Sequence, residues 1–112
     1  MISGLSASVS GLWVFVRKLE NAARNIANSD TDGYKSKKAT IVEDEAGLPT
    51  LDVDNTPGAL FQEADGVMRE NSNVELSEEI TDLFIAKRGY EANLKSIKTQ
   101  DEILESLFDI TV

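Results

Sequence analysis

Residues 73–110, NVELSEEITDLFIAKRGYEANLKSIKTQDEILESLFDI, run without a proline and with a single glycine, Gly89. Within them Leu76, Ile80, Leu83, Lys87, Tyr90, Leu94, Ile97, Asp101, Leu104 and Phe108 alternate steps of four and three, the spacing of a helix with one apolar seam. Lys87 and Asp101 interrupt that seam two heptads apart, and their opposite charges suit positions that face neighbouring subunits. A helix of this length spans about 55 Å, more than a compact domain of this size holds, so it asks for a second long helix. Its start is expected at Ser72 or Asn73, because Ser72 and Glu75 have capping-box spacing. Glu75, Glu78, Glu79 and Asp82 also suit the positive end of the helix dipole. Gly89 is compatible with close helix contact or with a neutral surface position.

The partner is expected at the other end of the chain. Ile2, Leu5, Val9, Leu12, Val16, Leu19, Ala23 and Ile26 step by three and four without a miss, so residues 2–28 read as a helix with a cleaner seam. Ser3 is the expected N-cap, and Asn28-Ser29 followed by Asp30 and Gly33 supplies the stop. Trp13 and Phe15 fall off the seam beside Val14, and are expected to face water in an isolated hairpin as a further contact surface.

Between the helices the pattern shortens. Ala39-Thr40-Ile41-Val42, Thr50-Leu51-Asp52-Val53, Ala59-Leu60-Phe61-Gln62 and, more weakly, Gly66-Val67-Met68 read as strands. Gly47-Leu48-Pro49, Asn55-Thr56-Pro57-Gly58 and Asp65-Gly66 punctuate them as turns. The fold expectation is therefore mainly α: long N- and C-terminal helices pairing as an antiparallel coiled-coil hairpin, with a small β-rich insert between them. It is one structural domain, made of residues 1–34, 35–71 and 72–112.

Composition narrows the function. The 112 residues hold 20 acidic and 11 basic side chains, no histidine and no cysteine, for a net charge of −9. Binding to nucleic acid or to an anionic membrane surface is not expected from that balance. The charge is lopsided: residues 1–42 carry a net positive charge and the remainder a strongly negative one, so the two ends attract each other within or between copies. Disulfides, thiolate metal sites and histidine general bases are excluded, and the acid pairs Glu78-Glu79 and Asp101-Glu102 read as solvated helix faces. No apolar run is long enough for a membrane span, and the first residues lack the basic region of a cleaved secretory signal. Neither an enzyme nor a cofactor site is expected. Residues 28–33 place oxygen side chains at alternate positions before a glycine, like the first half of a calcium loop. The closing position is Ala39 where a glutamate is needed, and Lys35, Lys37 and Lys38 oppose a cation, so a turn is the better reading and no metal is expected.

That turn also carries a resemblance. Asn25-Ile26-Ala27-Asn28-Ser29-Asp30-Thr31-Asp32-Gly33-Tyr34-Lys35, closing a helix at the N-terminus, resembles the N-terminal signature of bacterial flagellar rod and hook proteins. Ser72 to Ile80, Ala86 to Asn93 and Thr99 to Leu104 resemble the C-terminal region of the same axial proteins. The short insert is most similar to that of the small proximal rod proteins or of a reduced relative. Gly89, Lys87 and Asp32 depart from the residues usual in the family at those positions.

The resemblance implies a structural subunit of the flagellar rod that contributes to motility. It implies export from the cytoplasm through the type III apparatus without a cleaved signal, and residence in the periplasmic rod of the basal body. The implied partners are other axial proteins, copies of the chain itself and the export apparatus, with self-assembly into a homo-oligomer. The expected assembly seam is Leu5, Leu12, Leu19 and Ile26 of the first helix with Leu76, Ile80, Leu83, Tyr90, Leu94 and Ile97 of the last. Asn25, Asn28, Thr31, Gly33 and Tyr34 are expected to fix the turn. The alternative is a soluble helical adaptor or export chaperone that uses the same seam to hold a client helix.

Overall fold

A computed structural model describes residues 2–55, 60–70, 72 and 74–111. Helix α1 (Ile2–Ala27) leads through a turn to strands β1 (Lys37–Glu43) and β2 (Pro49–Asn55), then β3 (Leu60–Gln62) and β4 (Met68–Glu70), and finally helix α2 (Leu76–Thr111). The molecule is a slat, 79 × 26 × 13 Å. Among the described residues no helix is long and apolar enough to cross a membrane.

The two hairpins share one loop design. β1 pairs antiparallel with β2 and β3 with β4. Asp44-Glu45-Ala46-Gly47-Leu48 closes the first and Glu63-Ala64-Asp65-Gly66-Val67 the second. In each, the first residue's N–H donates to the fifth carbonyl and the glycine N–H donates back to the first. Gly47 and Gly66 have φ of 75° and 83°, the left-handed conformation that a type I turn with a glycine bulge requires. The expected fourth strand therefore starts two residues late: Gly66 and Val67 belong to the loop and β4 begins at Met68. Ala59 and the expected turn at residues 56–58 lie outside the described residues.

The expected coiled-coil hairpin is corrected by the line along which the helices meet. A Cβ at Gly4 would lie 3.8 Å from Gln100 Oε1 and one at Gly11 would lie 2.9 Å from Asn93 Nδ2, while one at Gly89 would overlap the Phe15 ring. The Asn25 side chain reaches Glu79. Each step forward along α1 is matched by the same step back along α2, so the helices lie side by side in opposite directions. The contact line is one residue earlier on α1 than the expected seam, and it is built from small and amide-bearing residues. Ala22 and Ala86 are 1% and 0% exposed on it. The leucines stand beside that line: Leu5, Leu76, Ile80 and Leu94 are 39 to 49% exposed, which is not the burial of knobs in holes.

The same one-residue shift corrects three further expectations. Phe15 sits on the contact line over Gly89, and Val14 is buried, leaving Trp13 as the exposed one of the three. Glu79 is buried, whereas Lys87 and Asp101 lie with the leucines and interrupt no interhelix seam. The start of α2 also moves, and the expected cap of α1 is not at its end. α1 begins at Ile2, as expected, so Ser3 lies within the helix and not at the N-cap position, and α2 begins at Leu76. Ser72 makes no capping box; its hydroxyl donates to the Asn28 carbonyl at 3.0 Å. Asn73 lies outside the described residues. Since α1 begins at Ile2, opposite the segment just past Gln100, the last turns of α2 project beyond it, and residues 101–111 are exposed throughout.

Candidate functional site

At the end of α1 an asparagine amide joins four parts of the chain. Asn25 is fully buried, and its side chain uses its full hydrogen-bonding capacity. Nδ2 donates to the Lys37 carbonyl and to Glu79 Oε1, both at 2.9 Å. Oδ1 accepts from the Tyr34 hydroxyl at 2.8 Å and from the Lys37 N–H at 3.1 Å. Helix α1, the turn, the start of β1 and the first turn of α2 therefore meet on one group. Asn21, one turn earlier, donates to the same Lys37 carbonyl at 2.6 Å.

The turn between α1 and β1 is held by its own side chains. Asn28 Nδ2 donates to the Arg24 carbonyl at 2.9 Å, the same carbonyl that accepts the Asn28 N–H at 3.2 Å, so the side chain reinforces the last turn of the helix. Its Oδ1 accepts from the Thr31 hydroxyl at 3.2 Å. The Tyr34 N–H donates to the Thr31 carbonyl at 3.1 Å, and Gly33, with φ of 74°, donates its N–H to the Glu70 carbonyl. The five expected turn residues, Asn25, Asn28, Thr31, Gly33 and Tyr34, thus lie in one hydrogen-bonded unit tied to β4 and, through Ser72, to the approach to α2. The oxygens of the calcium-like stretch at 28 and 31 bond each other.

Electrostatics at the joint are set by burial. Burial pushes the Glu79 carboxyl above the usual carboxylate range, the Asn25 hydrogen bond pulls it partly back, and the charges of Asp82 and Glu78 push it up again. Tyr34 is likewise raised by burial first and then by the Glu79 charge, with Arg24 opposing. A buried acid bonded to a neutral amide is suited to holding structure together.

The ten expected seam residues form an apolar face on one side of the helix pair. Leu12, Leu19, Ile26, Leu83, Tyr90 and Ile97 are half-buried, and Leu5, Leu76, Ile80 and Leu94 are exposed. A groove of about 540 Å³ brings Leu5 of α1 together with Leu94, Ile97 and Leu104 of α2, rimmed by Lys98 and Asp101. The opposite flank of α1, which carries Asn21, turns toward β1. Phe84, Ile85 and Leu107 are 64, 51 and 49% exposed.

The sequence reading missed Glu79, Phe15 and Asn93 as contact residues. The available signal was a line of Gly4, Ser8, Gly11 and Ala22 one residue before the apolar stripe.

Comparison with known proteins gives one consistent result. Residues 65–110 match the family described as flagellar basal body rod FlgEFG protein C-terminal. Over 86 residues the chain is 30% identical to the flagellar basal-body rod protein FlgG of Bacillus subtilis, covering 73% of this chain and 31% of that protein. Over 41 residues it is 46% identical to the flagellar hook protein FlgE of Escherichia coli, covering 37% of this chain and 10% of that protein. The hook protein FlgE of Helicobacter pylori is 42% identical over 45 residues, covering 40% and 6%. The chain thus spans less than a third of the length of these curated relatives.

Proposed function

The chain belongs to the flagellar rod and hook protein family, and from that premise we propose that it is a structural subunit of the bacterial flagellar axial structure, without enzymatic activity. The observation that carries the reading is the apolar face of the helix pair, formed by residues of both ends of the chain and left open by the rest of the fold. An apolar face of this length is suited to packing against neighbouring subunits, and a head-to-tail contact repeated from copy to copy builds an open filament. The short insert, residues 35–71, supports a place among the small proximal rod subunits. Its partners are other axial proteins and copies of itself, in the periplasmic rod after type III export, and its contribution is to motility. The joint at Asn25 fixes the direction in which the β hairpins leave the helix pair, and so the side on which neighbours can approach.

The test is Leu12→Asp, with Val9→Asp as a second variant. Both positions lie on the open side of α1, half-buried and 40% exposed, so neither change attacks the buried contact line. Each variant keeps its helical circular dichroism and is exported, yet fails to enter purified basal bodies. Normal incorporation of both would remove the proposal.

A further inference from the structure

The apolar face has a symmetry that names an occupant. Lys87 and Asp101 lie on it at equal distances either side of Leu94, and among the described residues neither makes an ion pair within the chain. We infer that the face is closed, before any assembly with other proteins, by a second copy of this chain, with α2 lying antiparallel on α2 about a two-fold axis through Leu94. Lys87 of each copy then faces Asp101 of the other, while Leu94 meets Leu94.

Three placements follow from that one axis without adjustment. Leu94 is at the middle of α2 (Leu76–Thr111), so the two helices overlap along their whole length. The projecting end of α2, which α1 leaves bare, is covered: Leu104 and Phe108, 37% and 69% exposed, fall opposite Phe84 and Ile80 of the second copy, 64% and 46% exposed. Along α1 the axis passes level with Ser10, between Val9 and Leu12, because Gly11 lies beside Asn93. Val9 and Leu12 then come within one residue of facing each other, as do Leu5 and Val16. The inverted alternative, with parallel helices in register, would set Lys87 on Lys87 and Asp101 on Asp101, a repulsive arrangement. The charges therefore specify direction and register, and the apolar residues supply the burial. This contact is isologous and self-limiting, unlike the head-to-tail contact of an open filament, and because both use the same apolar face the dimer must open before the chain joins a filament.

The test is a charge swap on the full chain, read by sedimentation velocity and light scattering over a micromolar concentration series. The wild type sediments as a dimer whose dissociation constant rises with salt. Lys87→Asp places like charges opposite each other at two symmetry-related points and raises that constant by roughly ten- to a hundredfold, as does Asp101→Lys. The double variant K87D/D101K returns it to the wild-type value. Both residues are exposed in the single chain, so helical circular dichroism stays constant across the series and separates loss of pairing from loss of fold. A wild type that stays monomeric, one that grows without a dimer plateau, or a double variant no better than the single changes would each overturn the inference.

Discussion

Replacing Asn25 with alanine is expected to destabilise the protein more than any other single truncation of a polar side chain. The amide has no exposed surface, and its removal takes hydrogen-bond partners from three groups: the Lys37 N–H, Glu79 Oε1 and the Tyr34 hydroxyl. The Lys37 carbonyl keeps Asn21. The tyrosine hydroxyl, at the edge of the site, turns to water at small cost, leaving two groups that lose about 1–2 kcal/mol each. The total is about 3 kcal/mol, a large fraction of the 5–15 kcal/mol typical of a domain. At about 4 °C per kcal/mol, Tm falls by roughly 10 °C. Urea unfolding followed by circular dichroism measures the loss, and an unchanged m-value assigns it to the folded state. Amide exchange at Lys37 gives the local reading, because that N–H donates to Asn25 and its protection should fall before that of mid-helix amides. Asn25→Asp sharpens the test. It sets a second carboxylate against Glu79, so it is worse than alanine at neutral pH and recovers in acid, where the two share a proton. A loss below about 0.5 kcal/mol for Asn25→Ala, with Lys37 protection intact, would refute the joint as the tie between helices and hairpin.

Three other perturbations test separate parts of the account. Burial holds the folded Glu79 carboxyl above its unfolded pKa, so the stabilisation is fully present below the ordinary carboxylate range and is lost as pH rises through the elevated value. Glu79→Gln keeps an acceptor for Asn25, and a series of melts should show a flatter dependence of Tm on pH than the wild type, whereas Glu105→Gln, at an exposed position far along α2, should leave the slope nearly unchanged. Gly89→Ala pushes a methyl group into the Phe15 ring and costs about 1–3 kcal/mol in chemical denaturation, and combining it with Phe15→Leu should recover part of that loss. Gly47→Ala, at φ of 75°, should cost about 1 kcal/mol and increase amide exchange in the first hairpin alone.

Much of the architecture was legible because it follows from local chemistry. Turn residues with glycine at the fourth loop position mark both hairpins, and two long apolar periodicities, the second interrupted at Lys87 and Asp101, mark both helices. Which side of each helix faces the other was not legible. The centre of an apolar stripe marks the side of a helix that avoids water, whereas the line of closest approach between two helices is set by the smallest side chains, here Gly4, Gly11, Ala22, Ala86 and Gly89. A partner supplied by the same chain covers the small residues, and the leucines beside them are left for something else. Glu79 was misread for a related reason: its burial depends on Asn25, which reaches it across more than fifty residues of sequence. The signature turn was legible as a turn, but its role as a junction emerges only when the Lys37 backbone and Glu79 are brought to the same amide.

The central claim is that this chain is built into the flagellar axial structure. The most direct measurement is quantitative mass spectrometry of purified hook–basal bodies from cells in which the chain carries an internal tag in the Asp44–Leu48 loop, whose tip is exposed. The account predicts that the tagged chain copurifies in a fixed ratio to the other rod proteins and that the Leu12→Asp form does not. Recovery of the chain only in the soluble cytoplasmic fraction, with basal bodies complete without it, would contradict the account.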